Sequence, residues 1–241
     1  MAGPKVRLHV DQPLGGGQAV AVTEGAANYL FAVMRLGPGA EVHLFNGRDG
    51  EWLARVAEAG KRRGVLVCET QTRDQDFPPD LWLLFTPVKK ERTSFIVEKA
   101  VELGVAQLLP VSTRRMNAER LRLDKQEAHA VEAAEQCGAT SVPGIQEVQP
   151  LDRLLSAWDP ARRLYWADEG RAGADSRWPG APGEPAAILI GPEGGFTPEE
   201  RAWLDSLSFV TPVALGPRIL RAETAALAAV ALWQKQFGDW A

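Results

Sequence analysis

The sequence predicts an α/β protein, with a parallel sheet over most of its 241 residues and a small β-barrel ahead of it. Three observations predict this. Beyond residue 80, short apolar runs alternate with helical patterns, the order expected of a parallel sheet. Two of these runs break into Gly-Pro loops that lead directly into helix starts. Residues 1–73 instead carry short alternating strands separated by turn signals.

The chain is organised around Ala186–Ile190, an apolar run that reads as a strand buried on both faces. It gives way to Gly191-Pro192-Glu193-Gly194-Gly195 and Phe196. Thr197 is placed as an N-cap, Pro198 as the first helical residue, and Glu199 and Glu200 in the first turn. In open α/β sheets, ligands bind beyond the carboxyl ends of strands, on loops of this kind. Glycine there lets a backbone approach a ligand closely. A second unit follows. Val210 to Leu215 is apolar, Gly216-Pro217-Arg218-Ile219-Leu220-Arg221 forms the loop, and Ala222 onward is rich in strong helix formers. The two loops read either as one composite pocket or as two ordinary strand-to-helix turns.

The other elements follow in order. Val6 to Val10 is a short strand with Arg7 and His9 on one face. Glu24 to Met34 is helical, with Leu30, Val33 and Met34 spaced for a buried face, and Gly37-Pro38-Gly39 turns the chain. Glu41 to Phe45 alternates and runs into Asn46-Gly47, a hairpin signal; Glu51 to Val56 and Gly64 to Glu69 are further strands. The polar, Pro-rich stretch Arg73 to Asp80 marks a domain boundary, giving domains 1–73 and 74–241. Leu81 to Phe85 is an apolar strand, Glu91 to Leu103 a helix stopped by Gly104, and Val105 to Val111 the next strand. A long helix covers Leu123 to Cys137 and stops at Gly138; Leu164 to Ala167 is a strand ending in Asp168-Glu169-Gly170. Arg171 to Pro185 reads as a surface loop, and a slim, alanine-rich helix closes the chain.

Composition excludes several classes. Hydrophobic content of 45% with 24% charged residues is that of a globular chain. No run approaches the ~18 apolar residues of a membrane span, and Met1-Ala2-Gly3-Pro4-Lys5 is not followed by a leader-like apolar core. Cys68 and Cys137 are far apart, which fits a reduced, cytoplasmic setting and gives no zinc pattern. A net charge of −4 argues against coating nucleic acid by charge alone. Local basic clusters exist at Lys61-Arg62-Arg63, at Lys89-Lys90 with Arg92, and at Arg114-Arg115 with Arg120 and Arg122. Each reads as a solvated face or, together, as a surface that positions phosphates. There is no GxxxxGK[ST] loop, and no GxGxxG follows the first strand of an α/β unit.

The motifs themselves carry a family resemblance. Ile190-Gly191-Pro192-Glu193-Gly194-Gly195-Phe196, followed by Leu215-Gly216-Pro217-Arg218-Ile219-Leu220-Arg221 and Glu223-Thr224-Ala225, resembles the bacterial 16S ribosomal RNA uracil-N3 methyltransferases, of the knotted SPOUT class. Glu102-Leu103-Gly104-Val105, Glu135-Gln136-Cys137-Gly138 with Val142-Pro143, Met34-Arg35-Leu36-Gly37 and Leu44-Phe45-Asn46-Gly47 match the same family, so the resemblance covers nearly the whole chain. It implies a PUA-like RNA-binding barrel at the amino end and a SPOUT-type parallel sheet with a trefoil knot. It also implies a homodimer, S-adenosylmethionine as the methyl donor, and 16S rRNA or the assembled small subunit as partner.

By the same resemblance, the donor is held by Asp168, by Leu189, Ile190, Gly191, Pro192, Glu193, Gly194 and Gly195, and by Leu215, Gly216, Ile219, Leu220 and Thr224. Leu189, Leu215 and Leu220 are apolar enough to wall in an adenine. Methylation of uracil N3 requires loss of a weakly acidic proton. Arg218 and Arg221 are candidates to stabilise the oxyanion, and Glu193 or Glu223 to accept the proton. Each has a structural alternative: Glu223 as a helix-dipole partner, Arg221 in an ion pair, Glu193 as a brace of its own loop. Arg7, Arg35, Arg114 and Arg115 are the candidate RNA contacts. The chain departs from the family in having Ala139 where an Arg is usual after Glu-Gln-x-Gly, and Asn28-Tyr29 where the family has a His. A ribose 2′-O-methyltransferase is disfavoured by Leu220-Arg221-Ala222-Glu223-Thr224-Ala225 in place of an Asn-rich final motif. A non-catalytic RNA-binding protein is disfavoured by the presence of Arg221 and Glu223.

Overall fold

The computed structural model describes residues 6–117, 121–174 and 177–241; the start Met1–Lys5, Arg120 and the side chain of Lys90 fall outside what is described. Two compact units form, Met1–Phe77 with Ala134–Val142, and Pro78–Ala133 with Pro143–Ala241. The units are therefore not two consecutive stretches of chain.

The first unit is a five-stranded sheet of β1 (Arg7–His9), β2 (Ala19–Thr23), β3 (Glu41–Phe45), β4 (Glu51–Ala59) and β5 (Arg63–Arg73) in the order β1-β3-β4-β5-β2. Only β1 and β3 pair in parallel. All five strands contribute to one core, with Leu8, Val22, Leu44, Val56 and Leu66 packed together, which requires the sheet to curl on itself. Register shifts between β4 and β5 supply the bending. The helix expected over 24–34 is helical but not uniformly α: α1 (Glu24–Ala27) widens into a π-helical turn over Asn28–Val33. The wider turn carries Val33 and Met34 off the face of Leu30, so they are 62% and 38% exposed while Leu30 is buried.

The second unit is built on an all-parallel sheet. Its strands are β6 (Leu81–Phe85), β7 (Gln107–Ser112), β8 (Gly144–Ile145), β10 (Arg163–Ala167), β11 (Ala186–Ile190) and β12 (Val210–Val213), in the order β12-β10-β11-β6-β7-β8, with β9 (Gln149–Pro150) also on β7. Its helices are α2 (Lys90–Glu102), α4 (Leu151–Ser156), α5 (Pro198–Ser206) and α6 (Ala222–Phe237), with α3 (Leu123–Cys137) belonging to it as far as Ala133. Gly104 (φ 73°) and Gly138 (φ 85°) stop α2 and α3 in the left-handed conformation expected of helix ends. Gln234 of α6 is fully buried and donates Nε2 to the Leu103 carbonyl at 2.7 Å, which ties α6 to the end of α2. No helix among the described residues is long and apolar enough to cross a membrane.

Register decides where the site lies. Ala167 at the end of β10 pairs with Ile190 of β11 and with Val213 of β12. Phe85 of β6 pairs with Ile190 and with Pro110 of β7. The strands end nearly level, so the loops after β10, β11 and β12 leave from one edge of the sheet.

Candidate functional site

Those three loops enclose a cleft of about 630 Å³, within the size range of small-molecule sites. It is lined by Ala167, Asp168, Glu169 and Ala172 after β10, by Ile190 to Gly195 after β11, and by Leu215, Gly216, Arg218 to Ala222 and Ala225 around the start of α6. Arg92, from the first turn of α2, completes the wall. The composite pocket, rather than two separate turns, is what forms.

Local sequence explains each wall. Thr197 caps α5 by accepting from the Glu200 backbone N–H, and Glu200 reaches back to the Thr197 N–H, so the capping box fixes where the β11 loop ends. Within the loop, Gly195 has φ 65°, and a Cβ there would stand 2.4 Å from Glu169 Oε1. A Cβ on Gly191 would meet the buried Phe196 ring at 2.5 Å. Both positions need glycine. Gly194 is different: its nearest neighbour to a built Cβ is Arg115 at 3.5 Å, and Arg115 Nη1 donates to the Gly194 carbonyl at 3.0 Å.

The β10 loop is held by charge. Asp168, whose side chain is 2% exposed, pairs with Arg201 Nη1 at 2.7 Å and Arg171 Nε at 3.3 Å, and accepts from the Gly170 N–H at 3.0 Å. Its carboxylate is thus committed to shaping the loop. Arg201 also reaches Glu169 Oε1 at 3.4 Å. On the third wall, Arg221 is the N-cap residue of α6 but makes no side-chain cap bond. Among the described residues neither Arg218 nor Arg221 enters an ion pair, and both are exposed.

Arg92 links the β11 loop to α6. Its Nη1 donates to Glu193 Oε1, and its Nε lies 3.5 Å from Glu223 Oε1. Glu223 is 15% exposed and stands behind Arg92 rather than on the lining; its Oε2 is buried and has no hydrogen-bond partner among the described residues.

Most of the residues expected at this site therefore come together, with four departures, the first being Glu223, which lies behind Arg92 and off the lining. Leu189 points into the sheet core with Leu84, Trp166 and Phe196, because it precedes the strand end by one residue. Thr224 is exposed on α6 and does not line the cleft. Among the expected RNA contacts, Arg7 requires correction. Its side chain is 14% exposed, and Nε donates to Glu51 Oε2 at 2.7 Å. Nη1 and Nη2 donate to the carbonyls of Ala134 and Ala139 at 2.7 and 2.6 Å. Those bonds occupy the guanidinium inside the first unit. Arg35 is exposed, as is Arg114, whose Nη1 lies 3.6 Å from Glu199 Oε2. Arg92, Ala167, Ala172, Ala222 and Ala225 were not singled out as site residues by the sequence, which placed Arg92 only in a basic cluster with Lys89 and Lys90; its position just past the carboxyl end of the strand Leu81–Phe85 is the signal that could have found it.

Known proteins share this arrangement. A family model described as an RNA methyltransferase domain matches residues 75–234, and one described as an RNA methyltransferase PUA domain matches residues 22–67. The chain is 30% identical over 233 residues to the ribosomal RNA small subunit methyltransferase E of Mycobacterium bovis, covering 88% of this chain and 85% of that one. It is 26% identical to the protein of the same name from Rickettsia conorii, over 93% of each chain. The crystal structure of the Neisseria gonorrhoeae enzyme of that name, bound to S-adenosyl methionine, superposes with a TM-score of 0.86 at 27% identity, covering 98% of this chain and 99% of that one. A Legionella pneumophila methyltransferase in complex with the same cofactor gives 0.85 at 28% identity, over 97% and 98%. A curled amino-terminal sheet, a parallel carboxy-terminal sheet and a cleft at its carboxyl edge thus go with an overall match to these enzymes, and the chain belongs to the RNA methyltransferase family of the ribosomal RNA small subunit methyltransferase E type.

Proposed function

We propose that the protein transfers a methyl group from S-adenosylmethionine to N3 of a uridine in 16S ribosomal RNA of the small subunit. The observation that carries this reading is the level ending of β10, β11 and β12, which brings both Gly-Pro loops to one cleft. The residues present fit the donor. Gly194 lines the cleft with no side chain of its own, Ile190, Leu215 and Leu220 offer apolar walls, and Glu193 offers a carboxylate toward a cationic ligand. When bound, S-adenosylmethionine supplies an electrophilic methyl group. Arg218 and Arg221, exposed at the cleft and without ion pairs among the described residues, are free to hydrogen-bond a developing uracil oxyanion. Glu193, on the lining, takes the N3 proton, with Glu223 behind Arg92 as the alternative acceptor. Holding both reactants in one cleft supplies much of the remaining rate.

The RNA is gripped by residues 1–73 acting as a PUA-like domain, with residues 74–241 as the catalytic domain. Arg35, Arg114 and Arg115 position phosphates. A second copy of the chain covers exposed apolar side chains, Ile219 on the cleft at 76%, Leu232 on α6 at 49% and Phe95 on α2 at 40%, making the working enzyme a cytoplasmic homodimer. Incubating the purified protein with isotope-labelled S-adenosylmethionine and small ribosomal subunits tests the assignment. Digestion and mass spectrometry of the 16S rRNA should show 3-methyluridine; a label on ribose oxygen instead would overturn it.

A further inference from the structure

The cleft contains a cation that links three elements. Arg92 is fixed at the start of α2, where buried Thr93 accepts from the Val88 N–H and donates to the Val88 carbonyl, both at 3.0 Å. From there its guanidinium reaches Glu193 on the β11 loop and Glu223 on α6. Two carboxylates share one guanidinium, and Glu223 Oε2 has no partner among the described residues. The cluster therefore holds excess negative charge at the cleft wall. The other charged groups around the cleft are arranged differently. Asp168 and Glu169 are countered by Arg201, and exposed Arg218 and Arg221 are free to turn toward solvent or RNA.

We propose that Arg92 is a specificity-determining residue: with Glu193 and Glu223 it sets how strongly the cleft prefers the cationic methyl donor over its uncharged thioether product. This rests on the methyltransferase reading above. S-adenosylmethionine and S-adenosylhomocysteine share every group except the sulfonium methyl and its charge. Contacts to adenosine and to the amino-acid end contribute nearly equally to both, so they cancel in the ratio of the two affinities. The charge on the wall does not cancel. Glu193 and Glu223 attract a sulfonium; Arg92 holds them in place and opposes them. A mere brace between α2, the β11 loop and α6 would behave differently, because loosening the loops weakens both ligands alike and leaves their ratio unchanged.

Calorimetric titration of each ligand into the cofactor-free protein separates these cases. Arg92→Gln should raise the donor-to-product affinity ratio by about fivefold, the effect of removing one charge at short range through a partly aqueous medium. Glu193→Gln and Glu223→Gln should each lower the ratio by roughly the same factor. Arg92→Lys keeps the charge and should leave the ratio near wild type even if both affinities fall. It also serves, with Glu223→Gln, should Arg92→Gln fold poorly. An Arg92→Gln variant that weakens both ligands at constant ratio would make Arg92 a brace and overturn the proposal. Wild-type protein that binds neither ligand would instead remove the methyltransferase reading, and this proposal with it.

Discussion

Arg201 Nη1 stands 2.7 Å from Asp168 Oδ1 and fastens the loop after β10 to α5. The Asp168 side chain is almost fully buried, so it depends on that partner more than an exposed carboxylate would. Arg201→Ala leaves it with Arg171, at 3.3 Å, and the Gly170 N–H. The expected loss is about 2–3 kcal/mol, or about 5–10 °C in melting temperature. Affinity for S-adenosylmethionine should fall as well, because Asp168 and Glu169 line the cleft. Thermal unfolding and calorimetry on the one variant check both; an unchanged melting temperature would mean the pair only decorates the loop.

Gly194 offers a test of the cleft itself. A side chain there starts in ordinary contact with Arg115 and not in a clash, so Gly194→Trp should fold. Its indole then competes for the space between the loops, and binding of S-adenosylmethionine should weaken by about 100-fold or more, about 2.7 kcal/mol. Gly195→Ala makes a contrasting case, since a positive φ and the close Glu169 oxygen strain the backbone. It should lower the melting temperature, whereas Gly194→Trp should not. Calorimetry that finds full binding by Gly194→Trp would move the donor out of this cleft.

In the first unit, Glu51 makes stability depend on pH. Burial pushes its carboxyl up, but hydrogen bonds from Arg7 and His43 and the charges of Arg7 and Arg73 outweigh burial and hold it below the ordinary value of 4.5. A carboxyl whose folded value is depressed adds stability that is complete above the unfolded value. That contribution is lost as pH falls through the folded value. Wild type should therefore lead Glu51→Gln in melting temperature at pH 7, and the gap should close as pH falls below about 4.5. Arg7→Ala should cost about 3–5 kcal/mol at neutral pH, because it leaves a buried carboxylate short of its cation. A gap that stays constant down to pH 3 would show that Glu51 gains nothing from its charge.

The same residues show where sequence reasoning works. Leu81–Phe85, Ala186–Ile190 and Leu123–Cys137 were legible to the residue, because an apolar run bounded by turn residues, or a helix closed by glycine, leaves little freedom. Thr197 and Pro198 marked the start of α5 through local chemistry alone. What escaped depends on distant partners. The strand β2, Ala19–Thr23, alternates only among small and β-branched residues, and pairing with β5 makes it a strand. The six-residue α4 is too short to show a period. Arg7 looked like an exposed strand cation until Ala134 and Ala139, more than 120 positions away, supplied carbonyls for it. Arg92 looked like part of a basic surface cluster, and its partner Glu193 lies 101 residues on. The Gly-Pro loops announced the cleft because glycine and proline act on their own backbone; the charges that tune it were invisible because they act through space.

Arg221 separates chemistry from binding. It occupies the N-cap of α6, where its backbone is extended and its side chain makes no capping bond, so replacing it removes no hydrogen bond that the helix uses. It lines the cleft, is exposed, and has no ion-pair partner among the described residues. If its role is to hydrogen-bond charge that develops on the uracil, that bond strengthens only as the reaction proceeds. Arg221→Gln should then lower kcat by about 10²–10³, the usual effect of removing one such donor, with affinity for S-adenosylmethionine changed less than about threefold. Arg221→Lys should recover part of the loss, since a point charge lacks the planar fork of a guanidinium. Single-turnover methylation of small subunits, set beside calorimetry of the same variants, measures both quantities. A variant that loses the donor in proportion to its rate would make Arg221 part of the donor site and shift the oxyanion role to Arg218.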